Sequence, residues 1–378
     1  MESRSLIAFV KKRAVFCAAC LCALVSCFFV PPSRAYLAYI DGNTLFMLFA
    51  LMTAVAGLES CGLFGTLAVR LCAVVRTARS LAFVLVFLCF FTSMLITNDV
   101  ALLAFVPFAL LLFGMQKAVP RRVTALVVVL QTVAANTGSM LTPVGNPQNL
   151  FLYNNMGVLL AAFVRVLLPY TVLCGVLLAA ALLLVPKTPL AAFAPSPARS
   201  PSAGWKKILY AVLFGCCLLA VAGGIPKGSL ALGVLVAVLV FDRATLLRTD
   251  VFLLATFVAF FIFSGNLAAV PAVTAFLQSS VRGHELGAGV AVSQVISNVP
   301  ATLLLYPFVQ DMRALLVGVN IGGLGTLVAS LASLISFSLY VKSENGGGAY
   351  LALFTVVNAV GLLTLLAFSA ILSLWFPA

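Results

Sequence analysis

Long apolar runs alternate with short polar breaks along this chain. Runs near 20 residues, such as 14–30, 38–58 and 350–376, match the hydrocarbon thickness that a helix must cross and predict transmembrane spans. Others are shorter or interrupted. Residues 81–96 and 100–114 flank Thr97-Asn98-Asp99, and 286–296 and the arm ending at 309 flank Ser297-Asn298. Arms of about 12 residues reach only ~18 Å as helix, too short for a core of about 30 Å. The second pair therefore predicts a re-entrant hairpin. For the first pair, a hairpin and two full spans both fit.

Two longer runs are broken from within. NTGSMLTPVGNPQN, residues 136–149, interrupts the run that begins near Val123, and NIGGLG, residues 320–325, interrupts 312–341. Pro143 and Pro147 each lack an N–H, and Gly138 and Gly145 tolerate backbone angles that other residues avoid. Both stretches are expected to unwind at membrane depth. Such unwinding is tolerated only where protein or a wet cavity satisfies the freed groups, as in the broken helices that form transporter sites. Further spans are expected to 185 and at 208–222, 230–241 and 251–264. Weaker segments fall at 59–75, which is expected along the cytoplasmic interface, and at 267–278.

Composition supports the membrane assignment. The 378 residues are 63% hydrophobic and 8% charged, where soluble domains carry about a quarter charged residues. A net charge of +13 could point to nucleic acid, but the basic residues cluster between apolar runs, as positive-inside sorting requires. With the N-terminus in the cytoplasm, all but Arg34, Arg165, Lys227, Arg282 and Arg313 fall on the cytoplasmic side. The run at 14–30 follows Lys11-Lys12-Arg13 but lacks a small-x-small cleavage site, so it is read as a first span rather than a signal peptide. Cys17 and Cys20 form a C-x-x-C without companion ligands and are read as apolar filler. The single His284 excludes two-histidine zinc sites, and no P-loop motif occurs. An intramembrane protease or hydrolase would need a second deep aspartate or a base that the chain lacks. No enzyme is expected.

The halves match where their breaks fall. Ile96-Thr97-Asn98 corresponds to Ile296-Ser297-Asn298, Asn136-Thr137-Gly138 to Asn320-Ile321-Gly322, and Thr142 to Thr326. Counting crossings places the two hairpins on opposite sides. The expected organisation is an N-terminal helix (1–35), a first inverted repeat (36–185), a Pro- and Ser-rich cytoplasmic linker (186–207) and a second inverted repeat (208–378).

The fold class expected is thus an all-α polytopic membrane protein with two hairpins and two broken helices. With its TPxGNPQN core at 142–149 and SNVP at 297–300, it resembles the ion transporter superfamily: divalent-anion:sodium symporters, citrate transporters, arsenite permeases and one type of sodium/proton antiporter. The resemblance spans most of the chain and implies alternating access and a homodimer. In the symporters a Ser-Asn-Thr at each tip binds substrate and helps hold sodium. Here Asn98 and Asn298 match, while Asp99 and Val299 replace the threonine, which puts a dicarboxylate in doubt and brings the first tip closer to the arsenite and antiporter branches.

The residues themselves suggest a small-anion site at Asn98, Asn136, Thr137, Gly138, Ser297, Asn298, Asn320, Gly322, Gly323 and Thr326. Amides both donate and accept, and helix N-termini present free N–H groups. A coupling ion, Na⁺ or H⁺, is expected at Thr97, Asp99, Thr142, Gly145 and Asn146, with no other cofactor. Asp99 is the one acid placed at membrane depth, where a charge costs roughly 2.5–3.5 kcal/mol on insertion scales. Asparagines that only cap helices, and an aspartate that only N-caps, are the plainer alternatives. Glu59 is expected at the interface, and Arg165 either attracts anions or snorkels. The function expected is a secondary transporter of a small carboxylate or oxyanion in the cytoplasmic (inner) membrane. An efflux permease, a sodium/proton antiporter or a channel are the alternatives.

Overall fold

In the computed structural model, which describes residues 13–72, 75–116, 118–190, 204–344 and 346–375, the chain is a succession of helices, with no β-strand among the described residues. Five helices are long and apolar enough to cross a membrane by length and composition: α3 (Gly42–Ser60), α9 (Leu160–Leu182), α10 (Gly204–Val221), α12 (Val251–Ala269) and α18 (Gly348–Trp375). Between them stand α1 (Ala14–Cys27), α2 (Ala35–Tyr39), α4 (Leu63–Cys72), α5 (Ala78–Thr92), α6 (Asn98–Gly114), α7 (Arg121–Ser139) and α8 (Pro147–Met156). The second half adds α11 (Lys227–Phe241), α13 (Pro271–Val281), α14 (Glu285–Ile296), α15 (Asn298–Leu305), α16 (Met312–Ile321) and α17 (Leu331–Glu344). The chain is an all-α polytopic membrane protein.

Scarce charge is spent on helix ends. Asp41, Asp250 and Asp311 cap α3, α12 and α16 by accepting from free backbone N–H groups of the first turn. Lys206 pairs with Asp242 at 3.0 Å, and the same carboxylate accepts from Tyr210 Oη at 3.0 Å, which joins the start of α10 to the end of α11. The interior itself is apolar and tightly filled, with Met47, Leu81, Leu85, Leu102, Phe105 and Phe257 wholly buried.

Packing falls into two groups. A frame consists of α1, α3, α10, α11 and α12, where α1 lies along α12 and α11 lies along α3. An inner unit consists of the helix pairs α5–α6 and α14–α15, the broken helices α7–α8 and α16–α17, and α9 and α18. Its contacts are reciprocal between halves: α5 packs on α7 as α14 packs on α16, α6 meets α17 as α15 meets α8, and α7 meets α18 as α16 meets α9.

Element boundaries differ from those expected at several places. Unwinding in the first half is confined to 140–146; Asn136, Thr137 and Gly138 stay in the last turn of α7, and Pro147 starts α8, where its missing N–H costs nothing. The second break runs over 322–330, past NIGGLG, because Thr326 caps a short 3₁₀ turn by accepting from Ala329 N. Asn98 and Asp99 belong to the first turn of α6 rather than to a loop. Helix α10 starts at Gly204, inside the stretch expected as linker; residues 191–203 of that linker, Lys11 and Lys12, and Asn345 of the Asn-Gly-Gly-Gly turn lie outside the described residues.

Glycine sets how closely each first hairpin arm approaches its broken helix. A Cβ on Gly138 would stand 2.1 Å from Phe90 O, and one on Gly318 would stand 2.4 Å from Leu286 O. Neither backbone oxygen can yield without moving its helix, which is the close approach that membrane helices achieve with small residues. Gly138→Ala and Gly318→Ala are each expected to destabilise the protein by about 1–3 kcal/mol, the usual cost of overpacking. Gly215→Ala, with nothing within 4 Å of the new methyl, should be neutral or stabilising. Thermal unfolding in detergent checks the order.

Candidate functional site

The two breaks meet at the centre of the inner unit. Asn98 Nδ2 donates to Asn136 Oδ1 at 3.1 Å, and Ser330 Oγ of the second break donates to the same oxygen at 3.0 Å. Asn136 Nδ2 in turn points at Ser333 Oγ (3.4 Å) and Gly323 O (3.5 Å). One amide at the end of α7 thus ties the first hairpin tip to the unwound backbone of the other half. Asn320 does the corresponding work from α16: its Nδ2 donates to Asn149 Oδ1 at 2.6 Å, and its Oδ1 accepts from Asn146 Nδ2 at 3.4 Å. Asn136, Asn146, Asn149 and Asn320 are all buried, so these bonds form in a low-dielectric setting where an unpaired amide is costly.

The unwound backbone is satisfied by side chains. Asn149 Nδ2 donates to Met140 O at 2.8 Å and to Thr142 O at 3.3 Å; Asn146 caps α8 by accepting from Asn149 N at 2.9 Å. In the second half Gln294, on α14, donates through Nε2 to Gly322 O (2.9 Å) and Leu324 O (3.0 Å), while its Oε1 accepts from Thr326 N (2.9 Å). These amides substitute for the helical ladder that proline and glycine remove.

The second tip differs from the first. Ser297 alone separates α14 from α15 and holds φ 77°, ψ 152°, a region that non-glycine residues enter only under strain. Asn298, 5% exposed, begins α15, and its Nδ2 lies where a Cβ on Gly323 would come within 2.9 Å. Among the described residues its amide makes no hydrogen bond, whereas that of Asn98 is committed at both ends. Gln148 Oε1, in the first turn of α8, is likewise buried without a partner.

Not every residue expected at the site joins this cluster. Asn98, Asn136, Asn146, Asn320, Gly323 and Asn298 come together. Gly322 packs against Ser293, and Thr326 Oγ1 donates to Gln294 O at 2.9 Å. Thr137 Oγ1 turns back to Val133 O at 2.7 Å. Gly138 serves the close approach to Phe90. Thr142 Oγ1 donates to Met94 O, and Gly145 O accepts from Asn98 N at 3.1 Å, so both hold the tip to the break. Thr97 and Asp99 face elsewhere, into a cavity of about 200 Å³ shared with Glu59, Arg248 and Asp250. Glu59, expected at the interface, lines this cavity. Arg165 is exposed on α9.

Asn149, Gln148, Gln294, Ser330 and Ser333 were not among the expected site residues. Asn149 and Gln148 stand inside the NPQN signature, which is signal enough; Ser330 ends the second break and Ser333 follows it three residues on, in the first turn of α17. A larger hollow of about 1090 Å³, lined by Arg282, His284, Glu285, Asp311 and Arg313, is open to the surface and does not reach the amide cluster. No group of His, Cys, Asp and Glu that could hold a metal ion occurs among the described residues.

Comparison with known proteins places the chain. Residues 5–318 match the family model described as citrate transporter. The inner membrane protein YbiR of Escherichia coli is 32% identical over 323 residues, which cover 82% of this chain and 84% of that protein. The uncharacterized transporter MJ0456 of Methanocaldococcus jannaschii is 29% identical over 338 residues, covering 88% and 90%. The chain belongs to the citrate transporter family and is a membrane transporter.

Gln294 offers a direct check on this geometry. Leaving a buried polar group unpaired costs about 1–3 kcal/mol. Gln294→Ala strands the carbonyls of buried Gly322 and Leu324 and should lower stability by about that much, while Ser279→Ala, on an exposed helix face, should change unfolding by less than about 0.5 kcal/mol.

Proposed function

We propose that this transporter moves a small anion, a carboxylate or an inorganic oxyanion, across the cytoplasmic membrane, coupled to Na⁺ or H⁺ by alternating access. The observation that carries the reading is the unspent Asn298 amide at the N-terminus of α15, beside unwound backbone and a committed amide cluster. A helix start offers N–H groups and a partial positive charge to an anion, and Asn298 adds two more donors. The strained Ser297 sets the tip at the angle that aims them. The reciprocal packing of the two halves supports an inverted repeat, with both hairpins re-entrant. The charge bias supports a cytoplasmic location for the face bearing Arg13, Arg248 and Lys342.

Asp99 supports a second reading, in which a cation is itself handled, as in efflux coupled to protons or sodium/proton exchange. It stands outside the amide cluster, in a cavity with Glu59 and Asp250. Anion and coupling ion would then occupy separate sites on opposite sides of the first tip.

The test uses purified protein in liposomes with citrate, succinate, sulfate and arsenite under imposed Na⁺ or H⁺ gradients. Saturable flux that follows one gradient is expected; flux without saturation or coupling would indicate a channel. Losing donors to a charged group removes about 1.5–3 kcal/mol, so Asn298→Ala should lower uptake about tenfold to a hundredfold. Thr97 takes the N-cap position of α6 and Asp99 stands two residues inside the helix, so the expected N-cap role does not hold; Asp99→Asn should fold and give flux that no longer follows the gradient. Normal coupling in that variant would leave Asp99 no part in coupling.

A further inference from the structure

The frame and the inner unit touch unequally at their two ends. At the end bearing Arg13, Arg248 and Lys342, cavities of about 470 Å³ and about 200 Å³ separate α1, α3 and α12 from α6 and α17, and both are lined by Asp99 and Asp250. At the other end a chain of polar side chains closes the gap. Lys227 Nζ, on the first residue of α11, donates to Asn154 Oδ1 at 2.6 Å, and Asn154 Nδ2 donates to Thr44 Oγ1 at 3.0 Å. Thr44 Oγ1 donates to Asp41 Oδ2 at 2.5 Å, and the same carboxylate oxygen accepts from Asn155 Nδ2 at 3.1 Å. Tyr306 Oη, just beyond α15, donates to Asn155 Oδ1 at 3.4 Å. Asp41, Thr44 and Lys227 belong to the frame; Asn154 and Asn155 end α8, the second half of the broken helix, and Tyr306 ends the second hairpin.

Beneath this layer the closure continues. Phe151 packs edge-on against Tyr306 at 4.9 Å and in a tilted pair with Phe261 of the frame at 5.6 Å, and Ser264 Oγ donates to Leu303 O of α15 at 2.7 Å. The side-chain hydrogen bonds found between frame and inner unit, made by Asp41, Thr44, Lys227 and Ser264, lie at this end.

We propose that Asp41, Thr44, Asn154, Asn155 and Lys227 form a latch that holds the inner unit against the frame on the face away from Arg13, and that its release is the step that exposes the site to that face. The inference rests on the alternating-access reading. The latch suits a reversible gate. Its bonds join side chains at helix ends, all but Thr44 only partly buried, so water can replace each partner when the surfaces part. Among the described residues the latch holds no direct ion pair; the Lys227 ammonium is linked to the Asp41 carboxylate through Asn154 and Thr44. The latch also reaches the site by a short route, since α8 runs from the Asn146 cap to Asn155 in under three turns.

Thiol accessibility in the purified full chain tests it, and no substrate needs to be known. Ser264→Cys reports the latched face, where Ser264 is 4% exposed; Ser338→Cys reports the opposite cavity. Modification of each by a charged maleimide is followed by peptide mass spectrometry, so the native cysteines stay in place. With the latch intact, the thiol introduced at position 338 should react and the one at position 264 should not. Asn154→Ala with Asn155→Ala should speed modification at position 264 about tenfold or more and slow it at position 338. Should Ser264→Cys fail to fold, Phe151→Cys reports the same face. In the otherwise unaltered chain, the exchange Asp41→Asn with Asn155→Asp keeps a capping side chain on α3 and a donor–acceptor pair across the gap, so it should leave position 264 protected. Unchanged rates at both sites in the alanine variant would overturn the latch and leave alternating access standing. A rise at both sites together would overturn the latch and also contradict alternation, since the two faces would be open at once.

Discussion

A peptide group within a bilayer has no water to turn to, and this constraint governs the molecule. Wherever the chain abandons the helix, another part of the protein must supply each lost hydrogen bond. Residues 140–146 and 322–330 are such places. Asn149 answers for the first by bonding Met140 O and Thr142 O, and Gln294 answers for the second by bonding Gly322 O, Leu324 O and Thr326 N. The amide side chain suits the task because it carries the same donor and acceptor as the backbone it replaces.

From this follows the shape of the inner unit. A first hairpin arm must lie against each broken helix closely enough for its tip to reach the break, so Gly138 and Gly318 stand where any larger residue would strike a backbone oxygen. The unwound backbone of each break is satisfied within its own half, and buried side chains then join the halves: Asn136 of the first accepts from Ser330 of the second, and Asn146 of the first donates to Asn320 of the second. The frame contributes little polar chemistry to this centre. It packs through apolar helix faces, and among the described residues the side-chain hydrogen bonds found between it and the inner unit lie at one end.

Much of this was legible in the sequence, and the reasons differ from element to element. The break at TPVGNPQN could be read because proline and glycine act locally, on their own φ and N–H. Its limits could not: Asn136 to Ser139 stay helical since their own ladder is intact and only the following proline is excluded from it. The second break was expected too early, as NIGGLG drew attention while Thr326, whose cap sets the far end, is an ordinary residue until its partner Ala329 N is known. Gln294 was invisible for the same reason, since its partners lie about 30 residues away. Asp99 was expected beside Asn98 and faces a different cavity, because successive residues in the first turn of α6 diverge by about 100° around the axis.

If the two breaks meet inside the membrane, a thiol cross-link must be able to join them. Asn136→Cys and Ser330→Cys replace side chains that touch at 3.0 Å. In native membranes, with a protease site placed within 191–203, a short bifunctional thiol reagent should keep the two halves joined after cleavage. A control pair with Ser279→Cys in place of Ser330→Cys should release them. Halves that separate in both cases would contradict the account.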